Sequence, residues 1–251
     1  MVEKKCPLGC LLIHGYTSSL DTIRGNREWL EKENIPYAMP ILRGHGGKPE
    51  DLIGVSWEDW YDDATHACDE LVQQCEKIII IGVSMGALIT LKLGLNRKDF
   101  LLAQILVAPA LKFKSPLIYL LPILAKIFKF WPAPSPFNDP QCATANTNYP
   151  RFSTDSFMSL FELTKNVEKK LSAVTIPTII LHSRKDSIIS PDSAEIIYKT
   201  ISSRDKKIMW FEKSGHEMMQ DLEADLVIAA IREYVLEKRT VLMKEETNPH
   251  P

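Results

Sequence analysis

This sequence predicts an α/β fold: a mostly parallel sheet of about six to seven strands, flanked by helices and carrying an inserted segment. Three observations predict it. Apolar, β-branched runs alternate with helical patterns along the chain. The runs are unbroken instead of polar at every second residue, which is how a strand buried on both faces reads. The alternation fails once, over residues 108–152, where eight of the sixteen prolines fall: Pro109, Pro116, Pro122, Pro132, Pro134, Pro136, Pro140 and Pro150.

The elements follow in chain order. Residues 8–13 read as a core strand. Basic residues precede this run and Pro7-Leu8-Gly9-Cys10 bears a faint likeness to a lipoprotein cleavage box, but the run is too short for a signal segment. Strand-like runs follow at 35–39, 77–83, 102–108, 178–182 and 206–211. Helical spacing occupies 21–33, 56–74, 84–95, 155–171, 191–201 and 222–236. Residues 1–110 and 153–237 form the expected core and 111–152 an inserted cap, since a long connection without regular pattern inside a compact domain usually has a function. Residues 238–251 lose apolar periodicity and are expected to form a flexible tail.

Composition narrows the classes. With 251 residues and 45% hydrophobic content the chain can bury a substantial core. A formal net charge of -2, with Lys and Arg scattered, gives no field that would draw in nucleic acid. The five cysteines, Cys6, Cys10, Cys68, Cys75 and Cys142, show neither metal-binding nor disulfide-framework spacing, which points to a reducing cytoplasm. Cys68 and Cys75 are expected two turns apart on one helix, too far to bridge. The most apolar stretch elsewhere, 116–125, is about half the length of a membrane span.

The stretch "IIIIGVSMGALITLKLG" carries the first chemical signal. A buried strand breaks at Gly82-Val83-Ser84-Met85-Gly86 and resumes as a helix, which puts Ser84 on a tight strand-to-helix turn with its hydroxyl exposed. This is the G-x-S-x-G nucleophile elbow. A serine nucleophile needs an imidazole to accept its proton and a carboxylate to orient that imidazole, in the chain order serine, acid, histidine. Four histidines follow strands, His14, His45, His182 and His216; only the last two come after Ser84. His182 sits so close to its strand end that it reads as wall, whereas "FEKSGHEMMQD" presents His216 from a loop. The loop "HSRKDSIISPDSA" offers Asp186 and Asp192. Asp192 suits the first turn of a helix, where the dipole favours an acid, so Asp186 is the expected orienting group. The oxyanion donors expected from such an elbow are the N–H of Met85 and, from "LLIHGYTSS", that of Tyr16. A metal site from His14, His45 and His182 lacks a completing carboxylate or thiol at useful spacing, and no metal is expected.

With these pieces in place the chain resembles the α/β-hydrolase superfamily, and within it the small carboxylesterases and bacterial-type monoacylglycerol lipases. The matching stretches are "LLIHGYTSS", "PILRGHGGKPEDL" with "WEDWYDD", "IIIIGVSMGALITLKLG", "PTIILHSRKDSIISPDSAEIIY" and "FEKSGHEMMQD". The resemblance implies an α/β-hydrolase fold, a Ser84, Asp186, His216 triad, Tyr16 and Met85 as oxyanion donors, no cofactor, and hydrolysis of short- to medium-chain or monoacylglycerol-like esters. Thioester hydrolysis and acyl transfer would use the same triad. An elbow aspartate, as dehalogenases and epoxide hydrolases carry, is ruled out by Ser84. The chain begins almost on its first strand, so the amino-terminal hairpin of larger members is expected to be absent, and the cap matches no family sequence.

Two regions carry weaker signals. The glycines of "RGHG" suit a loop shaped by backbone needs, so Arg43 and His45 are read as structural, as is the cluster of Trp57, Trp60 and Tyr61. In the cap, Leu117, Ile118, Leu120, Leu121, Ile123, Leu124, Ile127 and Phe128 form an apolar surface flanked by Lys112, Lys114, Lys126 and Lys129. This surface is expected to line an acyl pocket and to touch a lipid surface transiently. His14, Leu120, Leu124 and Phe128 are the candidate substrate contacts.

Overall fold

The computed structural model describes residues 5–247 apart from residues 121, 122, 124 and 126. Strands β1 (Cys6–Ile13), β2 (Tyr37–Ala38), β3 (Cys75–Val83) and β4 (Leu101–Val107) are followed by a short antiparallel pair, β5 (Phe130–Pro132) and β6 (Arg151–Ser153). Strands β7 (Thr178–Ser183) and β8 (Lys206–Phe211) complete the main sheet, ordered β2-β1-β3-β4-β7-β8 with every pairing parallel. Cys75 opens β3 and is not on the preceding helix, which corrects its expected place two turns from Cys68 on one helix. Strand β2 is only two residues long because Pro36 and Pro40 stand on either side and cannot donate to a ladder.

The isoleucine run explains itself in section. Ile78 and Ile80 point into one apolar core with Leu11 and Ile13, while Ile79, Ile81 and Val83 point into a second with Leu12 and Val107. With both faces covered, neither set of side chains can be polar. The first core is closed by helices α2 (Trp57–Gln74) and α3 (Met85–Asn96), the second by the short α1 (Arg27–Lys32). Ser56 starts α2 as a capping box with Asp59. The helix expected over 21–33 resolves into two 3₁₀ turns, Leu20–Thr22 and Arg24–Asn26, before α1. Gly25 between them lies so close to Ile228 that a Cβ there would sit 2.7 Å from its Cδ1.

The segment 111–152 contributes a 3₁₀ turn (Pro116–Leu120), the β5–β6 pair and helix α4 (Pro140–Thr144). Helices α5 (Thr154–Glu168) and α6 (Asp192–Thr200) flank β7 in sequence, and both add buried side chains to the first core. The final helix, α7, runs Ala224–Thr247. It passes through residues 238–247, so the tail expected to be flexible is helical there. Leu242 continues the face of Val227, Ile231 and Val235 into the second core, Arg239 Nη1 donates to the Glu33 carbonyl at 3.1 Å, and Lys238 pairs with Asp205. The apolar period survives in this stretch, thinned to one residue in seven.

Candidate active site

At the carboxyl end of the sheet the chain reverses direction between β1 and β3, the crevice where open α/β sheets bind ligands. Ser84 follows β3 with φ 53° and ψ -110°, a conformation that a side chain adopts only under strain. Neighbouring backbone holds it there: its N–H donates to the Val107 carbonyl at 2.9 Å and its carbonyl accepts from Ala87 and Ala110 N–H. The flanking glycines are steric requirements. A Cβ at Gly82 would strike the Gly86 carbonyl and Thr90 Oγ1, and one at Gly86 would strike the carbonyls of Ile13 and His14. Thr17 and Ala108, after β1 and β4, also have positive φ, at 61° and 45°. Strain therefore gathers at three adjacent strand ends.

His216 arrives on the loop between β8 and α7. Its Nε2 lies 2.9 Å from Ser84 Oγ, and its Nδ1–H donates to Asp186 Oδ2 at 2.7 Å. The loop is tied from three sides. Glu223 accepts from Lys213 and Ser214 N–H, Asp221 from Gly215 N–H, and the His216 N–H donates to the Pro136 carbonyl at 2.7 Å. Asp186 is fully buried, its Oδ1 accepting from Ile188 and Ile189 N–H at 2.9 Å each. Burial alone would raise its carboxyl, but the His216 ring with its hydrogen bond, and the His182 ring 3.3 Å away, hold it well below the usual carboxylate range. Burial likewise opposes charge on His216, and the Asp186 carboxylate outweighs it and pushes the imidazole above its ordinary value. Asp192 opens α6 exposed, away from this group, with its N–H on Ser190 Oγ.

Met85 is the first residue of α3 and is wholly buried. The loop bearing Tyr16 lies against the elbow, for a Cβ on Gly15 would approach Ser84 Cβ to 3.3 Å. The Tyr16 hydroxyl is engaged elsewhere, donating to the Ser153 carbonyl at 3.1 Å and meeting Ser156 Oγ at 2.7 Å.

Of the candidate substrate contacts, His14 is displaced by the structure. It is fully buried behind the site, its Nδ1–H donating to the Gly15 carbonyl and its Nε2 accepting from Leu42 N–H. A histidine after a strand end serves backbone groups as readily as substrate, and burial lowers this one to about 4. His45 is similar: Nε2 accepts from Thr17 N–H, Nδ1–H points at the carbonyls of Leu42 and Arg43, and burial with His14 nearby lowers it to about 3. Tyr149 stacks on His45 and bridges Gly44 and Gly47, so the Gly-rich loop clamps residues 111–152 to the core. Arg43 is taken up by Asp59 and Asp63.

A cavity of about 380 Å³ opens over Ser84 and His216. Phe113, Ile118, Phe152, Phe157, Leu160, Ile188 and Ile189 supply apolar wall; Thr17, Asn146, Asn148 and Glu217 supply polar wall. Leu120 and Phe128 are not among its lining residues and stand 49% and 48% exposed, so they are corrected to surface positions; among the described residues of that apolar run, Ile118 lines the cavity. Leu124 lies outside the described residues. Glu217 is a lining residue to which the sequence does not point: an acid after a histidine reads as a solvated loop residue, and only the flanking Met218 and Met219 hint at burial. Among the described residues no cluster of three or more His, Cys, Asp or Glu side chains is placed to hold a metal ion, and no helix is long and apolar enough to cross a membrane.

Against this geometry the comparisons with known proteins are coherent. The family described as Hydrolase_4: Serine aminopeptidase, S33 matches residues 8–223. A carboxylesterase of Bacillus subtilis (strain 168) is 27% identical over 226 residues, covering 90% of this chain and 91% of its own. A thermostable monoacylglycerol lipase of Bacillus sp. (strain H-257) is 26% identical over 233 residues, with 91% and 90% covered. Among solved structures, one from a study of the metagenome-derived lipolytic enzymes LipS and LipT superposes with TM-score 0.87 at 24% identity, covering 93% of this chain and 95% of that one. The Paleococcus ferrophilus monoacylglycerol lipase gives TM-score 0.78 at 20% identity, with 93% and 96% covered. These two structural likenesses establish the fold.

Proposed function

We infer function from a premise that the match over residues 8–223 supplies: the chain belongs to the Hydrolase_4 family, serine aminopeptidase, S33. It is a serine hydrolase of carboxylic esters, as the carboxylesterase and monoacylglycerol lipase relatives support. The observation that carries the mechanism is the continuous hydrogen-bonded line Ser84 Oγ, His216 Nε2, His216 Nδ1–H, Asp186 Oδ2, at 2.9 and 2.7 Å. Ser84 attacks the ester carbonyl while His216 takes its proton, Asp186 holds the imidazole in the tautomer that can accept it, and His216 then returns the proton to the leaving alcohol. The acyl group stays on Ser84 until water repeats the sequence. The N–H groups of Met85 and Tyr16 receive the oxyanion, a reading supported by the position of Met85 at the head of α3 and by the closeness of Gly15 to Ser84.

The substrate class follows from the cavity and the cap together. Apolar wall from Phe113, Ile118, Phe152, Phe157 and Leu160 suits an acyl chain of short to medium length, such as a simple ester or a monoacylglycerol-like one carries. Residues 111–152 act as a cap, and its exposed Leu117, Leu120, Ile123, Ile127 and Phe128 touch a lipid surface transiently. Five free cysteines suit a reducing compartment, and we assign the cytoplasm.

The test is hydrolysis of a series of esters of graded acyl length by the wild type and Ser84→Ala. The wild type should gain about fourfold in kcat/KM per added methylene until the cavity is filled, from roughly 0.8 kcal/mol per buried methylene. The variant should lose on the order of a millionfold in kcat while remaining folded. A variant that kept a tenth of the activity would remove Ser84 from the mechanism, and a profile falling from acetate upward would leave a short-chain esterase with no acyl pocket.

A further inference from the structure

The mechanism above leaves one buried ionisable group in the cavity without a task. Glu217 is 5% exposed and lines the same space as Ser84 and His216. Its Oε1 accepts from Asn148 Nδ2 at 2.9 Å, whereas its Oε2 has no partner among the described residues. The backbone fixes its position: its N–H donates to the Pro136 carbonyl at 3.2 Å, and its carbonyl accepts from Gln220 N–H. Asn148 is committed to this contact at a cost, since its own Oδ1 is buried with no hydrogen bond among the described residues. One carboxyl oxygen is thus fixed by Asn148 while the other is left open to a largely apolar cavity, as an acceptor that a ligand can reach.

The location says which part of a ligand. Glu217 is one residue from His216, and it is the Nε2 of His216 that delivers a proton to the departing oxygen. A group extending from that oxygen into the polar wall therefore meets Glu217, while the acyl chain takes the wall of Phe113, Phe152, Phe157 and Leu160.

We propose that Glu217 is a specificity-determining residue whose free oxygen binds a hydroxyl group on the leaving alcohol, with Asn148 as its positioning residue. A hydroxyl can donate to the carboxylate or accept from the carboxylic acid, so the contact survives either protonation state. Burial, the largest influence on Glu217, raises its carboxyl above the ordinary range, which makes the second form accessible and favours a neutral hydroxyl over an ammonium group. The proposal rests on the ester-hydrolase reading and deepens it: esters of simple alkanols are turned over, and esters of hydroxylated alcohols are preferred.

The experiment compares kcat/KM for 2-hydroxyethyl butanoate with that for propyl butanoate, which replaces the hydroxyl by a methyl group of similar size. A 2-aminoethyl ester and a propyl 4-hydroxybutanoate/propyl pentanoate pair serve as further arms. In the wild type the 2-hydroxyethyl ester should be favoured by roughly tenfold or more, the scale on which a site built to pair a hydroxyl rejects its absence. The ratio should persist in Glu217→Gln, which can still pair with a hydroxyl, and collapse towards one in Glu217→Leu, with a partial fall in Asn148→Leu. Should Glu217→Leu not fold, Glu217→Ala takes its place, with the same collapse expected and a ratio unchanged from the wild type overturning the proposal. A wild-type ratio near one overturns the proposal, as does a preference confined to the 2-aminoethyl ester and lost in Glu217→Gln, or one confined to the hydroxylated acyl group. Turnover of propyl butanoate reports on the ester-hydrolase reading separately, so either can fail without the other.

Discussion

Ser84, Asp186 and His216 occupy three separate loops, and each had a distinct cue in the sequence. Glycines two residues either side of Ser84 announced the strained turn, and the steric record at Gly82 and Gly86 gives the reason. Asp186 stood out from Asp192 because only the latter suited a helix start, and the structure leaves Asp192 on the surface. His14 misled because its strand-end position suits two tasks, and burial assigns it to Leu42 N–H and the Gly15 carbonyl. A prediction follows from the charges around His216. The ring must be neutral to accept the serine proton, and Asp186 raises its pKa, so kcat/KM should rise with pH along a limb centred above the roughly 6.5 of a free imidazole. Asp186→Asn removes the stabilising carboxylate. The limb should then move to lower pH while kcat falls by roughly 10⁴, because the imidazole no longer holds the accepting tautomer. Unchanged limb position in Asp186→Asn would show that another acid sets the titration.

At the scale of elements, period and run length carried most of the information. Strands buried on both faces and α2 with its capping box were legible because each satisfies a strong local rule. Residues 111–152 were legible only as an interruption: prolines exclude long helices, but what they permit depends on tertiary contacts such as Tyr149 on His45 and Trp131 beside Phe152. The last turns of α7 were misjudged for a related reason, since their support comes from Glu33 and Asp205, far away in sequence. Ending the chain after Glu237 should therefore destabilise the protein. Loss of the buried Leu242 side chain alone is worth about 1.5–3 kcal/mol. Urea denaturation should show a lower midpoint for the shortened chain with activity retained at low temperature. An unchanged midpoint would mean that residues 238–247 add nothing to the core.

For the molecule as a whole, the sheet order puts the ends of β1, β3, β7 and β8 on one rim, so loops separated by over a hundred residues deliver one line of hydrogen bonds. The segment 111–152 lies over that rim, and the bonds that tie it there include Tyr149 to the Gly-rich loop, Pro136 to His216, Asn138 to the Lys213 carbonyl, and Lys114 Nζ to the Asp186 carbonyl at 3.1 Å. This segment and the site thus form one hydrogen-bonded unit, with the carboxyl of Glu217 at their junction. The central claim is that this unit transfers an acyl group to Ser84. Its most direct test is intact-protein mass spectrometry on enzyme quenched in acid milliseconds after mixing with excess p-nitrophenyl butanoate. One butanoyl group per chain should appear, map to the peptide containing Ser84, and be absent in Ser84→Ala. Full turnover without any adduct, or an adduct on another residue that Ser84→Ala retains, would contradict the account.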